Sequence, residues 1–363
     1  MTTSAPTVGI IGLGYGRAHI PAFQANGCRV VALCQRDHAA AKALADRYGV
    51  PGVFASWEDM LETARPDIAV IATPPHLHHP IALRAFAQGA HVLCEKPLAM
   101  SRVEGEAMAE AAERAGRVAM TSLNWRFVAA MQELHARVEE GALGRVFHVS
   151  GRWVGGRWAK ATDAPSWRMD REQAGHGSMG DMGVHLVDFV RWTFGEIVRL
   201  TARAGVAYPE RQAPGVSRPA DAEDHCAIVG ELASGATVTL TTSRVARGLN
   251  EHALDASGSG GSLAYRFTRE RDRWWEGELR ATGAGDALAA VAPRWTPGRS
   301  AGEGDQMEIL GKATIGPLVA ALLAAIRTGT PAAPSFRDGV RAQAVLDAVL
   351  DATTRRDWVE VHP

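Results

Sequence analysis

The chain is poor in cysteine, in aromatic residues and in net charge. Its 363 residues include four cysteines and four tyrosines, and the formal net charge is -1. Cys28, Cys34, Cys94 and Cys226 show neither CxxC spacing nor clustering, which argues against a disulfide framework or a zinc cage. They read as small buried hydrophobes in a reduced intracellular chain. Acidic and basic residues are mixed along the whole length, without the electrostatic footprint of a nucleic-acid binder or a polybasic membrane-surface protein. The opening residues, MTTSAPT, lack a basic segment leading into an apolar stretch, so no secretory signal is read, and no run reads as a membrane span. These absences lead us to expect a cytoplasmic protein with no nucleic-acid or membrane partner. What is present is globular: 46% hydrophobic residues, 22% charged, and a length beyond one ordinary core, so two domains are expected.

Two rhythms divide the chain. Up to about residue 123, β-branched runs at Thr7–Leu13, Cys28–Cys34, Asp67–Thr73, His91–Cys94 and Arg117–Thr121 alternate with amphipathic stretches at His38–Tyr48, Trp57–Thr63, His78–Gln88 and Ser101–Ala115. Strand runs that are apolar nearly throughout suit a parallel sheet covered on both faces. Residues 1–123 are therefore expected to form a doubly wound Rossmann α/β domain. Residues 124–363 read as an α+β domain with a large, mostly antiparallel sheet. Its helices are expected at Val128–Glu140, Ser178–Phe194, Pro317–Thr328 and Arg337–Asp351. Its strands are expected at Arg145–Val154, Val198–Tyr208, Cys226–Leu232, Ala236–Ser243, Glu251–Ala256 and Ser262–Phe267. The Ala-, Gly- and Pro-rich stretch Thr282–Gly304 reads as a loop excursion or a poorly ordered segment.

The first strand runs into Gly12-Leu13-Gly14-Tyr15-Gly16-Arg17, a glycine-rich turn of the kind that lets backbone N–H groups approach a pyrophosphate. The pattern is G-x-G-x-G, so the third, helix-packing glycine of the usual fingerprint is displaced or missing. At the end of the second strand a carboxylate would select NAD through the ribose 2′-OH, and an arginine would suit the 2′-phosphate of NADP. Here the strand ends Cys34-Gln35-Arg36, with Asp37 coming late. Arg36 either pairs with that phosphate or starts the next helix in water; the first alternative leans the cofactor, NAD(P), towards NADP.

Three further motifs follow in order: Thr73-Pro74-Pro75-His76-Leu77-His78, then Glu95-Lys96-Pro97, then Asp181-x-Gly183-x-His185-x-x-Asp188. With Trp167-Arg168 and the closing Phe336-Arg337-Asp338-Gly339, they make the chain resemble the Gfo/Idh/MocA oxidoreductases, the family of glucose–fructose oxidoreductase and inositol dehydrogenase, along essentially its whole length. Gly12, Gly14, Tyr15, Gly16 and Arg36 are the candidate dinucleotide contacts from the turn and strand end themselves, and Thr73, Pro74, His78, Glu95 and Lys96 join them from the motifs that carry the resemblance. The resemblance implies that Lys96, Asp181 and His185 are catalytic. The residues support the same roles. Lys96 follows a strand at the carboxyl edge of the sheet, and like charge from a nicotinamide would help its ammonium exchange a proton near neutral pH. Asp181 and His185, four apart, share one helix face; His185 can take a hydroxyl proton, and Asp181 can hold the substrate hydroxyl or orient the imidazole. Each has a plainer alternative: a surface lysine, a first-turn carboxylate complementing the helix dipole, a core histidine.

Asn124, Arg126 and Trp153 are candidate substrate walls near the domain junction, and Trp167 and Arg168 lie in an aperiodic stretch of a binding-loop kind. His176, standing where the family commonly has glycine, is either a substrate contact or a loop histidine in water. His76, His78 and His79 have no metal-cage spacing, and no metal is expected. The expected activity is NAD(P)-dependent hydride transfer at a carbinol carbon of a sugar, cyclitol or related polyol. A redox-neutral glycosidase or lyase that keeps its NAD, and a non-catalytic dinucleotide-binding regulator, are the alternatives. The resemblance, more than the exposed sheet face of the second domain that would need covering, implies a homodimer or homotetramer.

Overall fold

A computed structural model of the chain describes residues 5–268, 277–283, 286–294 and 305–362. These fall into two units, Met1–Asn124 with Gly298–Val340, and Trp125–Pro297 with Arg341–Pro363. The segment ending at Val340, assigned to the second domain from sequence, therefore groups with the first.

In the first unit, β1 (Thr7–Ile11), β2 (Arg29–Cys34), β3 (Gly52–Phe54), β4 (Ile68–Ile71), β5 (His91–Cys94) and β6 (Ala119–Thr121) form one sheet in the order β3-β2-β1-β4-β5-β6. Every pairing is parallel. The central strands are buried on both faces, which is why their sequence shows no alternation. The intervening helices carry local start and stop signals. Asp37, Ser56 and Ser101 each accept a backbone N–H at a helix start, and Gly49 and Gly116 close helices in the left-handed region. Strand order reverses between β1 and β4, so the crevice beyond their carboxyl ends is where a doubly wound sheet takes its ligand. The short edge strand β3, only half-buried, carries too weak a pattern to be read from sequence.

Gln306–Thr328 forms a helical run of 23 residues with mean hydropathy 1.9. By length and composition it could cross a membrane, contrary to the sequence reading. More than half of it is buried inside the protein, the signature of a core helix. Its Gly311 lies against the helix His19–Ala25 region so closely that a Cβ there would sit 2.1 Å from the Ala18 carbonyl oxygen.

In the second unit the strands are β7 (Val146–Gly155), β8 (Ile197–Gly205), β9 (Glu210–Ala213), β10 (Val216–Pro219), β11 (His225–Leu232), β12 (Thr237–Ser243), β13 (Asn250–Gly258), β14 (Gly261–Thr268), β15 (Glu278–Thr282), β16 (Leu288–Val291) and β17 (Val359–Glu360). Among the described residues nine of these form a sheet in the order β16-β15-β14-β13-β7-β12-β11-β8-β17, with β9 and β10 a separate ribbon. It is mixed: β7 and β12 pair in parallel and the other neighbours antiparallel. Gly235 takes φ 82° in the β11–β12 turn, the conformation its sequence called for. The Ala/Gly/Pro-rich stretch is not simply a loop, since Leu288–Val291 is a strand; its residues 284–285 and 295–304 lie outside the described residues. Alternation along β11 buries Cys226, Ile228, Gly230 and Leu232 and leaves Ala227 and Val229 exposed.

Candidate functional site

The glycine turn leaves β1 at the switch point, and its three glycines have three different reasons. Gly12 takes φ 87°, and a Cβ there would lie 2.5 Å from the Ala72 carbonyl oxygen at the end of β4. Only glycine fits that close approach. Gly16 is buried, with a Cβ position 3.0 Å from the Ala72 Cβ and 3.3 Å from Ile10 Cγ2. It therefore does the helix-against-strand packing of the glycine that seemed displaced. Gly14, between them, is exposed and has no protein atom within 4 Å of its Cβ position. Backbone bare on that side is what a pyrophosphate needs for close approach, so the turn fits a dinucleotide. Gln35 at the end of β2 braces the turn by accepting the Leu13 N–H at 3.2 Å. Asp37 is committed to capping the next helix, its Oδ1 3.0 Å from the Ala40 nitrogen, while Arg36 is exposed beside it.

Thr73 and Pro74 lie half-buried beyond β4, and Lys96 lies half-buried beyond β5, on the same carboxyl edge. His78 and Glu95 are not ligand-facing as the motif suggested. The His78 ring is fully buried, with Nε2 2.9 Å from the Thr73 carbonyl and Nδ1 3.0 Å from that of Pro97. Burial lowers its pKa, opposed by those carbonyls. It braces the β4 loop against the β5 loop. Glu95 is buried too, its Oε1 2.8 Å from Nε2 of His19. Burial alone would raise the Glu95 pKa, but the bond and charge of His19, with Lys96, hold it below the ordinary value. Asn124 is likewise no wall residue in this unit: it is buried and donates to Thr314 Oγ1 at 2.8 Å.

In the second unit, Asp181 and His185 lie at a local change of helix type. Met179–Gly183 is a π turn and Val184–Phe194 an α-helix, an irregularity often found where side chains must be aimed. Glu223 tethers the approach to this turn, its buried Oε1 accepting the Gly177 N–H at 2.8 Å and the Met179 N–H at 3.0 Å. Gly177 sits so close to Glu223 that a Cβ would be 2.0 Å from its carbonyl oxygen. His185 joins an aromatic cluster: its ring centroid is 5.6 Å from that of Trp153, which stacks on His252 at 4.1 Å. Trp125 closes the cluster edge-on to Trp153, His252 and Phe267. Trp153, His252 and Phe267 are register partners across β7, β13 and β14, so the sheet itself lays out this row.

Asp181 is partly exposed, with Oδ1 3.3 Å from Nε of Arg168, whose guanidinium lies over the half-buried Trp167 ring at 4.4 Å. The loop bearing both is held by residues the sequence did not single out. Asp224, fully buried, accepts Arg244 Nε at 2.7 Å and Arg211 Nη2 at 2.9 Å, and Arg244 also donates to the Arg168 carbonyl at 2.8 Å. Two sequence candidates are corrected. His176 is neither in water nor open to a ligand: it is buried, with Nε2 3.1 Å from the Gln343 amide. Arg126 is buried in a two-pronged pair with Asp188, Nε to Oδ2 at 2.8 Å. Such a pair cannot lose one partner cheaply. Arg126→Met is expected to cost about 3–5 kcal/mol of unfolding free energy in urea denaturation, because it strands a buried carboxylate. A loss under about 1 kcal/mol would refute the pairing.

All four cysteines are buried singly. Among the described residues no group of His, Cys, Asp or Glu side chains is arranged to hold a metal ion.

Comparison with known proteins agrees with this architecture. Residues 7–123 match the model of an oxidoreductase family with an NAD-binding Rossmann fold, and residues 131–264 match that of the GFO/IDH/MocA C-terminal domain. Levoglucosan dehydrogenase of Pseudarthrobacter phenanthrenivorans is 30% identical over 98% of this chain and 97% of its own. A solved structure of a levoglucosan dehydrogenase with NADH and levoglucosan superposes with a TM-score of 0.88 at 28% identity, covering 99% of this chain and 100% of that one. An NADP(+)-dependent D-xylose 1-dehydrogenase of Haloferax volcanii is 33% identical over 54% of this chain and 58% of its own.

Proposed function

The chain belongs to the GFO/IDH/MocA oxidoreductase family, and on that premise we propose that it is an NAD(P)-dependent dehydrogenase acting on a CH–OH group of a sugar, cyclitol or related polyol. The observation that carries this reading is the open backbone at Gly14 on the same sheet edge as Lys96. A nicotinamide dinucleotide held there supplies the hydride acceptor or donor. Gly12, Gly14, Tyr15 and Gly16 would take its pyrophosphate, with Thr73 and Pro74 along the adjoining edge. The single hydroxyl proton is taken by one side chain, Lys96 or His185, with Asp181 holding the hydroxyl or orienting the imidazole. Trp167, with Arg168 over its face, suits the apolar face and hydroxyl rim of a sugar ring. The names of the relatives, acting on levoglucosan and D-xylose, support that substrate class.

For the cofactor, Arg36 favours NADP: it is exposed at the end of β2, while Asp37 is spent on its helix cap. The NADH complex of the levoglucosan dehydrogenase points the other way. Titration of the purified protein with NADH and NADPH, followed by a polyol screen on nicotinamide absorbance, tests both points. Arg36→Ala is expected to weaken NADPH by about tenfold and leave NADH within about twofold, the signature of a lost phosphate contact. Equal loss of both would remove Arg36 as the discriminator. If neither nucleotide bound, the dehydrogenase reading would fall, unless denaturation released trapped NAD(H). Release without net redox turnover would instead identify the redox-neutral chemistry.

The exposed positions of the nine-stranded sheet, including Ala227, Val229 and Thr241, support a homodimer or homotetramer, to be checked by sedimentation. The singly buried cysteines support a cytoplasmic location.

A further inference from the structure

Resting on the dinucleotide reading above, we propose that His19 is a positioning residue that fastens the glycine turn to the Lys96 loop through Glu95, so that both are held in one arrangement. β1 and β5 are not neighbours in the sheet, because β4 lies between them. The loops that leave them therefore have no shared ladder to fix their relation. Two buried histidines supply it. His78 ties the β4 loop to the β5 loop through the carbonyls of Thr73 and Pro97. His19 spans the longer step, from the first residue of the helix His19–Ala25 to Glu95, next to Lys96.

The geometry of that link is specific. His19 is fully shielded from solvent, and its Nε2 lies 2.8 Å from Glu95 Oε1. The second carboxylate oxygen of Glu95 lies 3.4 Å from the Lys96 backbone nitrogen. The Glu95 nitrogen is itself tied to the Ile71 carbonyl of β4 at 2.8 Å. Tyr15 of the glycine turn meets the His19 ring edge-on at 6.3 Å. An apolar side chain could fill the volume of His19 but would leave a buried carboxylate without its partner.

Because the bond uses Nε2, glutamine and asparagine separate the roles. The Gln amide nitrogen falls where Nε2 stood, whereas Asn reaches only as far as Nδ1. In the protein without ligand, His19→Asn is expected to speed amide hydrogen exchange at both the glycine turn, residues 13–17, and the Lys96–Ala99 segment. It should also raise the Kd for NADH, or for NADPH if that is the nucleotide the wild type prefers, by about ten- to a hundredfold, the range for a lost charge-assisted hydrogen bond. His19→Gln should restore both to within about threefold. The inference is overturned if exchange in His19→Asn quickens only near the substitution, if its Kd stays within about twofold, or if Gln fails as badly as Asn. A wild-type protein that binds neither nucleotide would sink the dinucleotide reading itself, whereas wild-type binding with an indifferent Asn variant sinks only the role of His19.

Discussion

Replacing His185 by Asn is expected to lower polyol turnover by about two to four orders of magnitude, with nucleotide affinity unchanged. The expectation follows from where the residue sits. His185 lies in the first turn of its α-helix, directly after a π turn, with its ring 5.6 Å from Trp153 and 6.3 Å from Trp125. Those rings hold the imidazole plane, so Asn would lose proton transfer rather than fold. The glycine turn and Lys96 belong to the other unit, so nucleotide affinity provides an internal control. Single-turnover measurement with saturating nucleotide separates the chemical step from binding. A loss confined to KM would make His185 a substrate-binding residue only. A loss below about fivefold would return it to the core histidine that its burial alone suggests.

Two substitutions in the glycine turn are expected to fail in different ways. Gly12→Ala should destabilise the first unit by about 2–5 kcal/mol, summing positive-φ strain and overpacking, because its Cβ would lie 2.5 Å from the Ala72 carbonyl oxygen. Gly14→Asp has no such obstacle, since nothing lies within 4 Å of its Cβ position. It should melt within a few degrees of wild type and lose nucleotide binding by about a hundredfold or more, through occlusion and charge repulsion with the pyrophosphate. Thermal melts and fluorescence titrations on the same preparations check both. If Gly14→Asp bound nucleotide normally, the turn would be a packing device only. If Gly12→Ala were as stable as wild type, the close approach to β4 would be wrong.

The architecture was legible in the sequence because its determinants are local. A doubly covered parallel strand must be apolar throughout, and a helix start needs a side chain such as Asp37 or Ser101 next to it. The glycine turn, Lys96, Asp181 and His185 could be singled out for the same reason: each stands in a short motif at the end of an element. β3 and β17 carried no such signal, being three and two residues long.

What each polar side chain does was decided by tertiary structure. His78, Glu95, Asn124, Arg126 and His176 all stood in or beside motifs and all proved buried against protein partners. Except for His78, bound to Thr73 and Pro97 nearby, those partners lie far off in sequence: His19 and Glu95 are 76 positions apart, Arg126 and Asp188 62, His176 and Gln343 167. No local period encodes such a meeting, because a side chain's burial and its partner depend on which elements the chain brings together. The sequence alone therefore determined the fold class and singled out candidate reactive residues at element ends. The fold decided which motif residues remain open to a ligand and which brace those that do, since a buried polar group must find its partner wherever the chain returns.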